Sequence, residues 1–142
     1  MSAIKGKNTR PELLVRRQLY RMGFRYRIHY QKLVGKPDIV LHKYKAIILV
    51  NGCFWHGHNC HIFKPPSAQK WRDKILRNKE RDAQNIKAYQ KAGWKVLVVW
   101  ECSTQGKTKL PLNELAATLS SWIQYDGQSA EITGREASEF SQ

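Results

Sequence analysis

Hydrophobic and polar positions along the chain change period several times, and each change predicts an element. Thr9-Arg-Pro-Glu12 has the form of a capping box with Pro11 in the first turn. A helix follows it and Gly23 ends it. Phe24, Tyr26, Ile28 and Tyr30 then alternate with Arg25, Arg27 and His29, predicting a strand with one basic face. Gly35-Lys-Pro-Asp38 leads into a short strand at Ile39–Leu41, and after a turn near His42–Lys45 the apolar run Ala46–Val50 reads as a buried strand. Ser67 is the expected N-cap of a long charged helix from about residue 68 to Lys91, stopped by Gly93. Lys95–Trp100 is another buried strand, and a last helix carries Leu112, Leu115, Leu119, Trp122 and Ile123 on one face. The order α-β-β-β-α-β-α predicts an α/β fold, a mixed sheet flanked by helices, in a single domain over 1–126. From Gly127 to 142 the pattern fades into an acidic tail, expected to be flexible.

Length agrees with that plan, since 142 residues suffice to bury one core without cross-links. The sequence has no apolar run approaching the roughly 20 residues of a membrane span, and Met1-Ser-Ala-Ile-Lys5 lacks the apolar core of a secretory signal, so a cytoplasmic protein is expected. Charge adds a partner. The net +14 is concentrated early: residues 1–45 hold twelve Lys and Arg against Glu12 and Asp38. From 112 onward Arg135 faces Glu114, Asp126, Glu131, Glu136 and Glu139. A basic N-terminal region suits a polyanion, nucleic acid above all, although charge alone is also compatible with a solvated basic surface.

The stretch NGCFWHGHNC at 51–60 concentrates candidate chemistry. Three cysteines is an odd count for a reducing compartment, which favours a metal over disulfides. Cys53, His58 and Cys60 lie on one loop, and Cys102 follows the last buried strand. Two adjacent strands ending on the same side of a sheet would join them into a Cys3His set, which meets the tetrahedral requirement of structural zinc. His61 could stand in for His58 on spacing alone, and His56 is left outside this set.

Several acids fall where a core should be. The long helix has a stripe at Trp71, Ile75, Asn78, Asp82, Ile86 and Tyr89, with Asn78 and Asp82 in its middle. Asp82 either pairs with an arginine or orients a histidine. Glu12 is either a capping-box acid or, on the face of Val15 and Leu19, an inward-pointing one. Asp38 opens an Ile-Val-Leu strand, where Asp is unfavourable without a turn or a function. Mg2+ takes one or two carboxylates with water and phosphate, which Asp38 and Glu12 could supply.

Taken together, KGKNTRPE, GKPDIVL, GCFWHGHNC, the W…KI..N.ERD helix and GWKVLVVWEC resemble the very-short-patch repair endonucleases, the Vsr family, from about Ser2 to Cys102. The resemblance implies a restriction-endonuclease-like fold with a structural zinc site and a Mg2+-dependent hydrolase that nicks DNA beside the thymine of a T:G mismatch left by deaminated 5-methylcytosine. It further implies that Asp38 binds Mg2+ together with the backbone carbonyl of Val50, that His56 acts as base or acid with Asp82 as its partner, and that Glu12 holds metal-bound water. Cys53, His58, Cys60 and Cys102 match the zinc ligands. Phe54, Trp55 and Trp71 match aromatic residues that wedge into DNA, although Phe54 and Trp55 could instead simply pack over the zinc loop. The implied partners are double-stranded DNA with a T:G mismatch and a MutL-type repair protein, with the chain acting as a monomer away from membranes.

Two departures from the family pattern stand out. Asn51, grouped here with the DNA-contacting residues, occupies the place of a second histidine, and Met1 falls just before SAIKGKN, where family members have a DNA-clamping segment. Both are expected to bear on affinity and mismatch specificity more than on cleavage itself. Two other readings stay open: a related nuclease of mobile-element type with a different DNA target, and a zinc-stabilised DNA-binding module without catalysis.

Overall fold

The computed structural model describes residues 8–135. Its sheet has the order β1 (Arg27–Ile28), β2 (Ile39–Leu41), β3 (Ala46–Asn51), β4 (Lys95–Trp100), β5 (Ala130–Ile132). The first three strands pair antiparallel and the last two join in parallel, so the sheet is mixed as expected. Helices α1 (Arg10–Arg21), α2 (Gln69–Lys91) and α3 (Leu112–Tyr125) flank it. Parallel neighbours need a crossover, and α2 supplies it between β3 and β4 as α3 does between β4 and β5.

Both faces of the sheet are buried, which explains the continuous apolar runs of β2, β3 and β4. Ile39, Leu41, Ala46, Ile48, Leu97 and Val99 pack with Val15 and Leu19 of α1 and with Leu115, Leu119, Trp122 and Ile123 of α3. The alternate residues Val40, Ile47, Val96 and Val98 form a second cluster with Tyr89 of α2 and Trp94. Leu112, expected on the buried face of α3, is half exposed in its first turn.

Three further expectations need correction. The strand expected over Phe24–Tyr30 shortens to Arg27–Ile28, because His29 adopts φ +47 and turns the chain off the ladder. Ser67 does not cap α2: its carbonyl accepts from Arg72, and the N-cap position falls to Ala68, which offers no side-chain acceptor. The segment from Gly127 is not featureless, since Ala130–Ile132 adds a parallel strand to β4. Ser129 accepts from the Val96 N–H at 3.0 Å, and the Trp100 indole donates to Glu131 at 2.6 Å. Glu136 and Glu139 of the expected acidic tail lie outside the described residues. Among the described residues no helix is long and apolar enough to cross a membrane.

Candidate active site and metal centre

In the parallel register Asn51 stands opposite Trp100. Two residues beyond that pair the chain reaches Cys53 on one strand's exit and Cys102 on the other's, so sheet geometry brings the distant cysteine to the loop. The ligand atoms of Cys53, His58, Cys60 and Cys102 all lie within 4.8 Å of one another. His58 presents Nδ1 to both Cys53 Sγ (3.5 Å) and Cys102 Sγ (3.6 Å), and its ring stacks on Trp100 with centroids 4.1 Å apart. His61 instead lies beside Thr108, 3.4 Å from its hydroxyl. Cys53 and Cys102 are fully buried.

The thiols are poised for a cation. A hydrogen bond from Cys53, the Gly134 N–H at 3.2 Å and the neighbouring His58 hold Cys102 down to about 5, against its burial. Cys53, the donor in that pair and itself desolvated, is pushed up. One thiolate forms readily, and three thiols with one imidazole are the donors of a closed structural zinc site. The cluster could hold a structural metal.

The same loop carries His56. Gly57, at φ +63, reverses the chain between the two histidines, and a Cβ there would meet Lys79 at 2.9 Å and Ile75 at 3.0 Å. His56 therefore faces α2, where its Nδ1 is hydrogen-bonded to Asp82. One turn earlier on α2, Asn78 donates to the Trp55 carbonyl at 3.0 Å and accepts from Arg81 at 2.7 Å. The two polar residues inside the apolar stripe thus bind consecutive residues of one loop.

His56 and Asp82 line a cavity of about 310 Å³ together with Asp38, Val50, Asn51 and Arg81. The Val50 N–H donates to Asp38 Oδ2 at 2.8 Å. Burial raises the Asp38 carboxyl to about 7, and Glu12 adds to the rise, while Val50, His56 and Arg16 oppose it. Glu12 is 1 % exposed. Its N–H is capped by Thr9 at 3.4 Å, but its carboxylate turns inward, accepting from the Asn8 N–H at 3.2 Å and pairing with His29 Nε2 at 2.7 Å. The Thr9 half of the capping box is thus formed, whereas the Glu12 carboxylate reaches Asn8 and His29 rather than the Thr9 N–H, so it is the inward-pointing reading that describes the side chain. The ligand atoms of Glu12, His29 and Asp38 lie within 4.8 Å of one another. Two carboxylates this close, one fully buried, form a donor set that suits a divalent cation.

Beside the cavity the rings of Phe54 and Trp55 meet edge to face at 4.8 Å, and Trp55 meets Trp71 at 5.6 Å. Phe63 extends the group, 6.1 Å from Phe54. Lys74 Nζ lies over both indoles, at 5.5 and 5.9 Å. All three predicted aromatics remain partly exposed. Asn51 is 93 % covered at the end of β3.

A family model described as DNA mismatch endonuclease Vsr matches residues 1–62. The DNA mismatch endonuclease Vsr of Escherichia coli strain K12 is 40% identical over 134 residues, covering 93% of this chain and 86% of that protein. The chain belongs to the Vsr family. Two type II nicking enzymes are also similar. V.NmeAIP of Neisseria meningitidis serogroup A is 48% identical over 75% of this chain and 78% of its own length. V.XorIIP of Xanthomonas oryzae is 43% identical over 72% of this chain and 76% of its own.

Every residue singled out in the sequence for Vsr-like chemistry thus falls into one of three adjoining groups: the thiol cluster, the cavity with its acids, and the aromatic patch. Two contributors escaped sequence reading. Phe63 lies beyond the quoted motif. His29 looked like one more basic-face residue of an alternating strand, and no local signal marked the backbone turn that aims it at Glu12.

Proposed function

We propose that the protein is a DNA nicking endonuclease that hydrolyses one phosphodiester bond beside the thymine of a T:G mismatch. In this reading Mg2+ is held at Asp38 with the Val50 carbonyl, and zinc by Cys53, His58, Cys60 and Cys102. The observation that carries it is the meeting of the His56–Asp82 pair and the Asp38 carboxylate on one cavity. When bound, Mg2+ supplies positive charge against the phosphate oxygens as they gain negative charge.

The chain's own groups account for the rest. Asp82 fixes Nδ1 of His56, which leaves Nε2 to exchange a proton with the reacting water or the leaving oxygen. Asp38 provides the anionic anchor for the cation, held in place by the Val50 N–H. Arg81, braced by Asn78, adds a guanidinium to the cavity wall that suits a phosphate. Phe54, Trp55 and Trp71 are the wedge. Inserting rings between bases costs a few kcal/mol of unstacking, and less at a weakened pair, so a mismatch is favoured. The net charge of +14 supports a polyanionic substrate.

The test is nicking of a T:G duplex beside its T:A control, with and without Mg2+. Strand-specific nicking of T:G alone, dependent on Mg2+, is the expected result. Equal cutting of both duplexes would replace this reading with that of a nuclease having another target, which Asn51 in the place of a second histidine favours. Binding without any cutting would leave a DNA-binding module, against which the full set Glu12, Asp38, His56 and Asp82 argues.

A further inference from the structure

We propose that His29 is a third side-chain donor of the divalent-metal site at Asp38, giving it an imidazole arm beside two carboxylates; this rests on the reading that Asp38 holds the catalytic cation. Three observations converge on His29. Its backbone takes φ +47, a conformation uncommon for a residue with a side chain, directly after the two-residue strand β1. Its N–H donates to the Asp38 carbonyl at 3.1 Å, tying its backbone to that of the metal-binding residue. Its Nε2 lies 2.7 Å from Glu12 Oε2, and one ligand atom from each of Glu12, His29 and Asp38 lies within 4.8 Å of the others.

Those separations suit one shared ion. Donors about 2.1 Å from a cation in octahedral array are about 3 Å apart as neighbours and about 4.2 Å as opposites. The set closes on an ion with small side-chain adjustments. His29 also suits this position electrically. Glu12 is buried and its carboxylate lies close to that of the half-buried Asp38, so the two repel, and an imidazole nitrogen adds a ligand without adding a third negative charge.

Chemistry then dictates metal preference. An oxygen-only site suits Mg2+, whereas an imidazole ligand favours first-row transition ions. The site should therefore discriminate for Mn2+ more than carboxylates alone would. His56 lies on the loop side of Asp38, fixed by Asp82, and is not part of this donor set.

The experiment uses the zinc-loaded full chain and Mn2+ as the probe. Binding is followed by the electron paramagnetic resonance of free Mn2+ and by competition with Mg2+, and the nitrogen hyperfine coupling of the bound ion is recorded. Wild type should show a histidine nitrogen on Mn2+ that disappears in His29→Gln and persists in His56→Ala. His29→Gln, whose side-chain amide can still donate to Glu12, should weaken Mn2+ by about 10- to 100-fold while changing Mg2+ affinity much less. No nitrogen coupling in wild type, or coupling retained in His29→Gln, overturns the proposal. Equal weakening of both ions overturns it too, leaving His29 as a residue that merely positions Glu12. Asp38→Asn separates the two levels: if it keeps full Mn2+ affinity, the Asp38 metal site itself fails, whatever His29 does.

Discussion

The side-chain amide of Asn78, on the inner face of α2, donates to the main-chain carbonyl of Trp55 at 3.0 Å. That bond fastens the aromatic loop to the helix, and a neighbouring one, from His56 to Asp82, fastens the candidate base. Asn78→Ala would leave the carbonyl without its partner and free Arg81 from its brace. Leaving one polar group unpaired costs about 1–3 kcal/mol where water cannot replace it. Calorimetry should show a lowered Tm with bound zinc unchanged, and the preference for T:G over T:A duplex should fall.

Asp82→Asn tests the orientation of His56 without removing volume. The amide oxygen can still accept from Nδ1–H, but it carries no negative charge and its NH2 can turn toward the ring instead, so the imidazole's tautomer is no longer enforced and the charge that stabilises it when protonated is lost. Single-turnover nicking should slow by about two to four orders of magnitude, the usual worth of general acid–base help. DNA affinity and zinc content should not change, because Asp82 touches neither the aromatic patch nor the thiols.

How legible these relationships were depended on whether they broke a period. Asn78 and Asp82 stood out because they interrupt an apolar stripe at helical spacing, and each reaches a residue of the 51–60 loop, Trp55 and His56 respectively. Cys102 could be joined to the loop because β3 and β4 end together. His29 was hidden for the opposite reason: it kept the alternation of its neighbours, and only a local backbone turn separates it from them. Strand β5 was hidden because only Ile132 of its three residues is buried, so it has no apolar pattern of its own. Its place is held by the Val96 main-chain N–H donating to Ser129 and the Trp100 indole donating to Glu131, partners on β4 that no local reading of 127–135 contains.

Zinc removal should act on folding rather than on chemistry. The cluster ties the loop 53–60 to the segment after β4, and Gly134 closes over it through its N–H to Cys102. Elemental analysis should find one zinc per chain, and a chelator should lower Tm steeply, since metal binding free energy in such a site is folding free energy. Cys102→Ser should reproduce the loss of stability while the nicking rate per folded molecule changes little.

Trp55→Ala separates wedge from packing. If Trp55 serves the DNA, its truncation lowers affinity for T:G duplex far more than for T:A duplex. Stacking of this kind is worth about 1–3 kcal/mol per base, or roughly one to two orders of magnitude in Kd. If the indole only covers the zinc loop against Trp71, both affinities fall together and the Tm falls with them.

Asp38 gives a pH dependence whose sign is fixed by burial. Its carboxyl is raised from the usual 3.8 to about 7, chiefly because desolvation penalises the charged form. Between these values the folded chain keeps a proton that the unfolded chain has lost, so stability contributed here falls as pH rises from about 4 to about 7. Above about 7 the penalty is fully present. Asp38→Asn carries no such titration, so in zinc-loaded protein without added Mg2+ the variant should be no more stable than wild type near pH 4. It should gain steadily up to pH 7 and then level off, on the order of 2–4 kcal/mol ahead. A cation at Asp38 offsets the same penalty. Mg2+ should therefore raise the wild-type Tm at pH 8 and leave that of Asp38→Asn unmoved, which differential scanning calorimetry across pH 4–8 measures directly. A Tm difference independent of pH would mean that Asp38 titrates normally and that its carboxylate is not held in the desolvated environment described here.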